Sequence, residues 1–461
     1  MKKVLFIVYA MSGGVGRVVT MLVNALACHF DISVLEIYHY SDSRYSFNKK
    51  IKFLGSLIDE KKDSREIAAY KKYCIEQHSK LLRAAYELNG YDAIVACDYM
   101  IPSYLLKAFP DVPCVDWVHT TLQRLAGKDN KIIFNAQKNI WETCEKIMLI
   151  SKAEYRIMQK IMPCYLNKTN IVYNPFDADE VRRKATAPCD FQFCNYDFPF
   201  ACCIGRFDKN KNFELAVRAI KQLQNEKITF GLILIGSGDE EKNLRALVKQ
   251  LQVHDRVFFL GQKQNPYPYL AQCLCLCSTS FQECFPTVVC EAMALGIPFI
   301  TTPVSGASEE LASDETCGLV TLYNDAASYA DKIKMLLNDK NRYANMSENC
   351  VEQIKKFTTE KAVREWFELL NGRPSKKSKY KLCDKNTALQ KIKRMYVFSY
   401  RWQETRMLCR LYLNNYFNHK SVKNFLRFAY YTLRSFSLCM CRLPLRLQSV
   451  HAVSSAFTEL Y

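Results

Sequence analysis

Residues 200–224, FACCIGRFDKNKNFELAVRAIKQLQ, decide the predicted fold class of this chain. The stretch starts with a short apolar run that ends at a glycine, and a segment with helical spacing of its apolar residues follows. An apolar strand bounded by glycine and joined to an amphipathic helix is typical of a parallel sheet that helices cover on both faces. The sequence therefore predicts an α/β protein.

The same alternation runs through most of the chain. The predicted strands of the first half are KVLFIVYA, DISVLEIY, DAIVAC, CVDWVH, IMLIS and NIVYN, and those of the second half are FACCIGR, FGLILIG, RVFFLG, CLCLCS and FITT. Two such runs in tandem predict two Rossmann-like, doubly wound domains, over residues 1–185 and 196–352. Because ligands of such folds bind at the carboxyl ends of the strands, functional residues are expected in the loops there and in the cleft between the domains.

The composition indicates a globular protein. The 461 residues are 49% hydrophobic and 24% charged, which is typical of two or three folded domains. No run reaches 18 uncharged apolar residues, so no membrane-spanning helix is predicted, and the apolar start is interpreted as a strand and not as a signal peptide. The 21 cysteines have no paired CxxC spacing, and Cys273, Cys275 and Cys277 are expected on one face of a strand. Buried thiols in a reducing compartment are favoured, so a cytoplasmic location is expected.

The net charge of +18 is concentrated at the C-terminal end. Residues 373–461 contain 18 Lys and Arg against 3 Asp and Glu, so the rest of the chain is nearly neutral and nucleic acid is not an expected partner. Within this basic tail, residues 421–436 (SVKNFLRFAYYTLRSF) are predicted to form an amphipathic helix with aromatic residues on its apolar side. Two alternatives remain for residues 420–446: contact with an anionic membrane surface at the inner face, or packing on the core.

The first candidate loop is MSGGVGR, directly after the first predicted strand. Gly13 and Gly14 would let backbone N–H groups approach an anion at a helix N-terminus. Gly14, Gly16 and Glu36 partly match a dinucleotide-binding pattern, but Val19 stands at the third glycine position. A loop that faces a phosphate or a sugar is therefore favoured over an NAD site.

The second candidate loop is IGRFDKNKN, after the first strand of the second domain. It contains Arg206 and Lys211, and two cations fixed by a glycine turn suit a diphosphate whose charge must be neutralised. Taken alone, such a loop is more often a solvated basic surface, so this interpretation depends on the neighbouring loops.

The third candidate loop is FQECFPTVVCEAMALG, residues 281–296. Pro286 is expected as the first residue of a helix that Gly296 closes, with Glu283 just before this helix and Glu291 inside it. The unbonded N–H groups of the first turn, at Thr287 and Val288, would face a phosphate. The two carboxylates would accept hydrogen bonds from sugar hydroxyls.

Together, GRFDKNKN, LIGSGDEEKNL, VFFLG and ECFPTVVCEAMALGIPFI resemble the donor domain of the GT-B glycosyltransferases of family 4, the group 1 transferases. Glu283 and Glu291 match the family's E-x7-E motif, and the resemblance covers residues 3–370, more specifically in the second domain than in the first. It implies an acceptor-side first domain, a nucleotide-sugar donor domain, a helix within 353–372 that returns to the first domain, and the basic tail 373–461 beyond it.

The resemblance also implies roles for single residues. Glu283 and His119 would act at the transferred sugar, Glu291 would bind the ribose, and the base would lie near residues 257–261. The implied donor-binding residues are Gly13, Gly14, Arg206, Lys211, Pro286, Thr287, Val288 and Glu291. The sequence departs from the family at Pro286, where glycine is common, and at Gly16, where an acidic residue is frequent.

These features predict a metal-independent hexosyltransferase-type enzyme that moves a sugar, with retention of configuration, from a nucleotide diphosphate-sugar to a glycan or lipid-linked acceptor, in cell-surface polysaccharide or glycolipid synthesis. No cofactor is expected, and Asp177-Ala178-Asp179 is interpreted as a loop and not as a metal motif. A hydrolase would need its two carboxylates to face each other across a bond, which a helical Glu291 disfavours. The alternatives are a nucleotide-sugar epimerase and a catalytically weak donor-binding protein that acts through its tail.

Overall fold

The computed structural model describes residues 1–39, 45–98, 100–126, 131–303, 307–372, 384–392 and 394–395. The chain divides into two compact units, Met1–Glu76 with Gly90–Tyr380 and Gln77–Asn89 with Lys381–Tyr461. The predicted amphipathic helix over 421–436, and with it the predicted membrane contact of 420–446, lies outside the described residues.

The described part of the first unit contains a seven-stranded and a six-stranded sheet, and all strand pairs are parallel. The first sheet has the order β3-β2-β1-β4-β5-β6-β7, and the second has the order β10-β9-β8-β11-β12-β13. The strands are β1 (Lys3–Val8), β2 (Asp31–His39), β3 (Lys52–Asp59), β4 (Ala93–Cys97), β5 (Cys114–Val118), β6 (Lys146–Leu149), β7 (Thr169–Ile171), β8 (Phe200–Ile204), β9 (Gly231–Ile235), β10 (Val257–Gly261), β11 (Cys275–Ser278), β12 (Phe299–Thr301) and β13 (Gly318–Val320). The predicted fold class, two doubly wound Rossmann-like domains, is confirmed.

Helices alternate with the strands along the chain. They are α1 (Gly13–Leu26), α2 (Arg65–Gln77), α3 (Ser79–Ala85), α4 (Ile101–Tyr104), α5 (Gln123–Ala126), α6 (Lys131–Thr143), α7 (Lys152–Ile161), α8 (Ala178–Ala185), α9 (Phe213–Asn225), α10 (Glu241–Gln250), α11 (Tyr267–Leu270), α12 (Thr287–Ala294), α13 (Ala307–Ala312), α14 (Ala326–Asn338), α15 (Lys340–Gln353) and α16 (Thr359–Asn371). In α9, which lies in the stretch that predicted the fold, Val217, Ile220 and Leu223 recur at helical spacing and are buried.

The strand order of each sheet reverses at one place, between β1 and β4 in the first sheet and between β8 and β11 in the second. At such a switch point the two loops at the carboxyl ends diverge and leave a crevice. Gly14 follows β1, Lys211 follows β8 and Glu283 follows β11. The topology therefore places three of the predicted loops at the two switch points.

The last long helix, α16, packs on the first sheet. Trp366 is fully buried, and its ring centroid lies 4.9 Å from that of Trp117 on β5 and 6.3 Å from that of Phe6 on β1. The Lys2 ammonium donates hydrogen bonds to the carbonyls of Leu370 and Asn371 at 3.2 and 2.9 Å. The C-terminal end of the first unit is thus attached to the domain that contains its N-terminus.

Several local features differ from the sequence prediction. The strands β3 and β13 lie in segments where no strand was predicted. Cys273 precedes β11, so only Cys275 and Cys277 of the three alternating cysteines lie on that strand, although all three are buried. Pro286 is the N-cap of α12 and not its first residue, because its extended ψ of 104° lies outside the helical range.

The described part of the second unit is small. Ala84 and Ala85 of α3 form a buried cluster with Ala388, against which Ile392 packs. Lys385 and Glu87 form an ion pair at 2.9 Å. Over all the described residues, no helix combines the length and apolarity that crossing a membrane requires.

Candidate active site

A cavity of about 190 Å³ lies between the two Rossmann-like domains. The first domain and the chain that leaves it contribute Gly14, Val15, Val18, His119, Ile150 and Asn174, and the second contributes Lys211, Glu283, Cys284, Phe285, Pro286, Thr287 and Val288. Seven of the ten predicted site residues line it: Gly14, His119, Lys211, Glu283, Pro286, Thr287 and Val288. Gly13, Arg206 and Glu291 are not among the described residues that line it.

Lys211 and Glu283 form an ion pair at one wall of the cavity. The Lys211 Nζ lies 2.5 Å from Glu283 Oε1, and the Ser280 hydroxyl donates to the same oxygen at 2.7 Å. The Thr279 hydroxyl donates to the Lys211 carbonyl at 2.7 Å, and the Asp208 carboxylate accepts from the Lys211 N–H at 3.0 Å. These bonds fix the loop after β8 against the loop after β11, so the cation and the carboxylate are held together.

The N-terminus of α12 forms the next part of the wall. The helix starts at Thr287, and the side chains of Thr287 and Val288 are partly exposed. The first N–H groups of a helix have no intrahelical acceptor and carry a partial positive charge. The helix start therefore presents partial positive charge beside the Lys211–Glu283 ion pair.

His119 is buried at the opposite wall, after β5. Its side chain packs on Trp117 with ring centroids 4.2 Å apart, and its Nε2 has no hydrogen-bond partner among the described residues. Burial lowers the pKa of His119 to about 3, so the imidazole is neutral at physiological pH. Asp98 holds the loop in place, because its carboxylate accepts hydrogen bonds from the N–H groups of His119 and Thr120 at 3.1 and 2.9 Å.

Asn174 lines the cavity, although it was not among the predicted site residues. It is 5% exposed, and its Oδ1 has no hydrogen-bond partner in the described part of the chain. A buried amide oxygen without a partner is costly, and a ligand hydroxyl would satisfy it. Its position directly after β7 was the signal that could have identified it.

The glycine loop after β1 is held in place by hydrogen bonds to a buried carboxylate. Glu36 is 2% exposed, and its carboxylate accepts from the Met11 N–H at 2.8 Å and from the Ser56 hydroxyl at 2.5 Å. Glu36, which partly matched a dinucleotide-binding pattern, therefore holds the glycine loop after β1. Position 16 favours glycine for a steric reason, since a Cβ there would lie 2.7 Å from the Met11 carbonyl carbon. A side chain at position 16 would therefore collide with the backbone of the loop before it.

Arg206 and Glu291 make contacts outside the cavity. The Arg206 side chain is 79% exposed and pairs with Asp208 at 2.7 Å. Glu291 is buried, and its Oε1 lies 2.6 Å from the Arg17 guanidinium and accepts from the Tyr267 hydroxyl at 3.2 Å. Burial raises the pKa of Glu291, and Arg17 opposes this shift. The contact with Arg17 was not predicted, because the two residues are 274 positions apart.

The Asp177-Ala178-Asp179 segment caps a helix. The Asp177 carboxylate accepts from the Glu180 N–H at 2.8 Å, as the N-cap of α8, and Asp179 pairs with Arg182 at 2.9 Å. Within the described ranges, no cluster of three or more His, Cys, Asp or Glu side chains fits a metal ion.

Two parallel doubly wound domains with a cavity between them are the arrangement of the GT-B fold. Residues 192–353 match the family model of the glycosyl transferases group 1, which confirms the predicted resemblance for the second domain.

Similarity to known proteins extends over most of the chain. It is 24% identical over 386 residues to the N-acetylgalactosamine-N,N'-diacetylbacillosaminyl-diphospho-undecaprenol 4-alpha-N-acetylgalactosaminyltransferase of Campylobacter jejuni, covering 81% of this chain and 100% of the relative. The crystal structure of HepE from Anabaena in complex with UDP has a TM-score of 0.62 at 18% identity, covering 81% of this chain and 100% of that chain. Sucrose-phosphate synthase from Thermosynechococcus elongatus has a TM-score of 0.66 at 20% identity, covering 81% and 99%. At these identities the two structures show a shared fold.

Proposed function

We propose that this protein transfers a sugar, with retention of anomeric configuration, from a nucleotide diphosphate-sugar to a glycan or lipid-linked acceptor. The observation that carries the proposal is the convergence of Lys211, Glu283, the start of α12 and His119 on one cavity between the two domains. These groups come from three separate loops, after β5, β8 and β11, and each can act on a different part of a sugar diphosphate.

The diphosphate end of the donor would lie against Lys211 and the N-terminus of α12. In sugar transfer the nucleoside diphosphate leaves with extra negative charge, and a fixed cation with aligned N–H dipoles stabilises that charge. Arg206 lies five positions before Lys211 on the same loop. Its exposed side chain would reach the diphosphate after leaving Asp208. Because these groups supply positive charge, we propose that no metal ion is required.

The sugar would occupy the wall of His119 and Asn174. Both side chains are more than nine-tenths buried, and His119 Nε2 and Asn174 Oδ1 lack partners among the described residues. Sugar hydroxyls both donate and accept, so they would satisfy the two atoms at once. Glu283 would face the oxocarbenium-like transition state from the other side, where a carboxylate stabilises positive charge.

The choice of acceptor rests on similarity. The Campylobacter jejuni relative is named for an undecaprenol diphosphate-linked acceptor, which supports a glycan or lipid-linked acceptor here. Polysaccharide or glycolipid synthesis at the cytoplasmic face of a membrane is part of the same proposal. The HepE structure contains UDP, so UDP-sugars are the first donors to test.

The proposal is tested with the full-length protein and a panel of UDP-, GDP- and ADP-hexoses. Thermal shift identifies the donor, and release of the nucleoside diphosphate with a lipid-linked oligosaccharide extract measures transfer. We expect Glu283→Ala and Arg206→Ala to fold and to lose transfer, the rate to survive chelation of metals by EDTA, and the product to keep the anomeric configuration of the donor.

Wild-type turnover in either variant would contradict the assigned site. Conversion of the donor without any acceptor would indicate an epimerase, and donor binding without turnover would indicate a binding protein.

A further inference from the structure

A second pocket, of about 430 Å³, lies at the carboxyl end of the second sheet, between α9 and α10. We call it the outer pocket. All its described lining residues belong to the second domain, and none of them lines the cavity between the domains. The loops after β8 and β11 contribute to both, since Asp208 and Phe281 line the outer pocket and Lys211 and Glu283 line the cavity. The outer pocket is therefore a neighbour of the candidate active site.

Planar polar side chains line the outer pocket. Asn212 Nδ2 donates to Asn324 Oδ1 at 3.1 Å, and this bond joins the loops after β8 and β13. Asn243 Nδ2 donates to Glu240 Oε2 at 2.7 Å at the start of α10. A carboxamide or a carboxylate has more hydrogen-bonding positions than these contacts use. The pocket therefore offers both donors and acceptors to a ligand.

Two exposed aromatic rings lie at one edge of the outer pocket. Phe281, which lines it, is 36% exposed, and Tyr323, which precedes the lining residue Asn324, is 63% exposed. Their ring centroids are 6.4 Å apart, with an angle of 46° between the ring planes. Covering a large apolar ring releases free energy, so neighbouring exposed rings beside a pocket favour a ligand that packs on them.

A sugar has the chemistry that matches these two features. The C–H face of its ring packs on an aromatic side chain, and its hydroxyls donate to carboxylates and accept from carboxamides. A volume of about 430 Å³ is within the usual range of small-ligand pockets. The charged side chains that line the outer pocket are three carboxylates and two cations, so a phosphate or an anionic lipid headgroup is disfavoured.

We propose that the outer pocket is a second binding site, for a neutral glycan, whose sugar rings pack on Phe281 and Tyr323 and whose hydroxyls bind Glu240 and Asn324. Under the proposed function, on which this role rests, the glycan is the part of the acceptor that is remote from the point of transfer. Binding of a free glycan is a property of the pocket itself, so it is measured without donor or transfer.

The experiment titrates the full-length protein and its variants with maltotriose and with N,N′,N″-triacetylchitotriose, followed by ligand-observed NMR. We expect the wild type to bind at least one trisaccharide. Tyr323→Ala should weaken that binding about threefold or more, because an aromatic contact is lost, and Tyr323→Phe should retain it. Glu240→Ala should weaken it about tenfold, the usual effect of losing a hydrogen bond to a charged group.

Leu322→Ala is the matched control. Leu322 is next to Tyr323 and 67% exposed, but it is not aromatic and is not among the described residues that line the outer pocket. Its loss should leave trisaccharide binding unchanged. His119→Gln alters the cavity between the domains and should also leave it unchanged. Thermal unfolding of each variant checks that the fold is retained, and Tyr323→Ala supplies the test if Glu240→Ala does not fold.

The outcomes separate the outer pocket from the proposed function. No binding of either trisaccharide by the wild type, unchanged binding in Tyr323→Ala, or an equal loss in Leu322→Ala would overturn the glycan site. A loss of binding in His119→Gln would place the trisaccharide in the cavity between the domains and would overturn it too. All these results leave sugar transfer untouched. Trisaccharide binding that Tyr323→Ala weakens, in a protein that transfers no sugar, would overturn the proposed function and support the glycan site.

Discussion

Lys211 Nζ lies 2.5 Å from Glu283 Oε1, and this contact joins two loops that are 72 residues apart in sequence. The loops follow β8 and β11, which are neighbours at the switch point of the second sheet. The pair places a cation and a carboxylate side by side at the wall of the cavity. A sugar diphosphate has the complementary order, a negative leaving group next to a carbon that becomes positive in the transition state.

Replacing Lys211 should therefore reduce sugar transfer more than donor binding. We expect Lys211→Met to lower kcat by about 100-fold, the usual loss when one preorganised group that stabilises leaving charge is removed. Initial rates of nucleoside diphosphate release, at saturating and at limiting donor, measure the effect on kcat and KM.

The matched control is Lys209→Met. Lys209 is exposed, lies two positions away on the same loop and does not line the cavity in the described part of the structure. It should keep the wild-type rate. Equal losses in the two variants would mean that only the overall charge of the loop matters.

Much of the fold was predictable because buried parallel strands are apolar along their whole length. The segments of β1, β4, β5, β8 and β9 were identified in this way, and nearly all their residues are buried. The strand β3 was missed because it is an edge strand, only partly buried and interrupted by Gly55. The strand β13 has three residues and is also an edge strand, at one end of the second sheet.

The site was predictable where it depends on topology and not where it depends on side-chain direction. Residues in the loops after strands, such as His119 and Glu283, converge on the cavity because parallel strands end at the same edge. Arg206 was expected there too, but its side chain turns to Asp208 in its own loop. Glu291 pairs with Arg17 of the other domain, and nothing in either local sequence indicates a contact between the two helices.

The steric role of Gly16 gives a stability prediction. A Cβ at this position would lie 2.7 Å from the Met11 carbonyl carbon and 3.1 Å from the Ala10 carbonyl oxygen, so the backbone of the loop must shift. We expect Gly16→Ala to lower the free energy of unfolding by about 1–3 kcal/mol, as overpacking usually does. Urea denaturation measures it.

Gly14→Ala is the control for this variant. A Cβ at Gly14 meets no atom within 4 Å, and the residue lies in the same helix. Since alanine restricts the unfolded chain, its stability should be unchanged or higher by about 0.4–1 kcal/mol. A loss of stability in Gly14→Ala equal to that in Gly16→Ala would contradict the steric explanation.

The attachment of α16 predicts a second large effect on stability. Trp366 is fully buried against Trp117 and Phe6, so Trp366→Ala would leave a cavity at the base of the first sheet. We expect a loss of about 3–5 kcal/mol in the free energy of unfolding, and a smaller loss for Trp366→Phe, which retains a ring. Leu322→Ala, at a side chain that is 67% exposed, should change stability by less than about 0.5 kcal/mol. Similar losses in all three variants, measured by urea denaturation, would contradict this packing.

His119 predicts a defined pH dependence of stability. Its pKa is about 3 in the folded protein because of burial, whereas an unfolded histidine has a pKa near 6.5. Between these values the unfolded chain binds a proton that the folded protein does not, so this residue lowers stability as the pH falls below about 6.5. His119→Gln removes the group that binds this proton. Between pH 6 and pH 4 the free energy of unfolding of the variant should therefore fall less steeply than that of the wild type, and the two slopes should differ by up to about 1.4 kcal/mol per pH unit. Urea denaturation of both proteins across this range measures the difference. Parallel pH profiles for wild type and His119→Gln would mean that His119 takes up a proton in the folded protein, and a neutral imidazole at the sugar would then have to be abandoned.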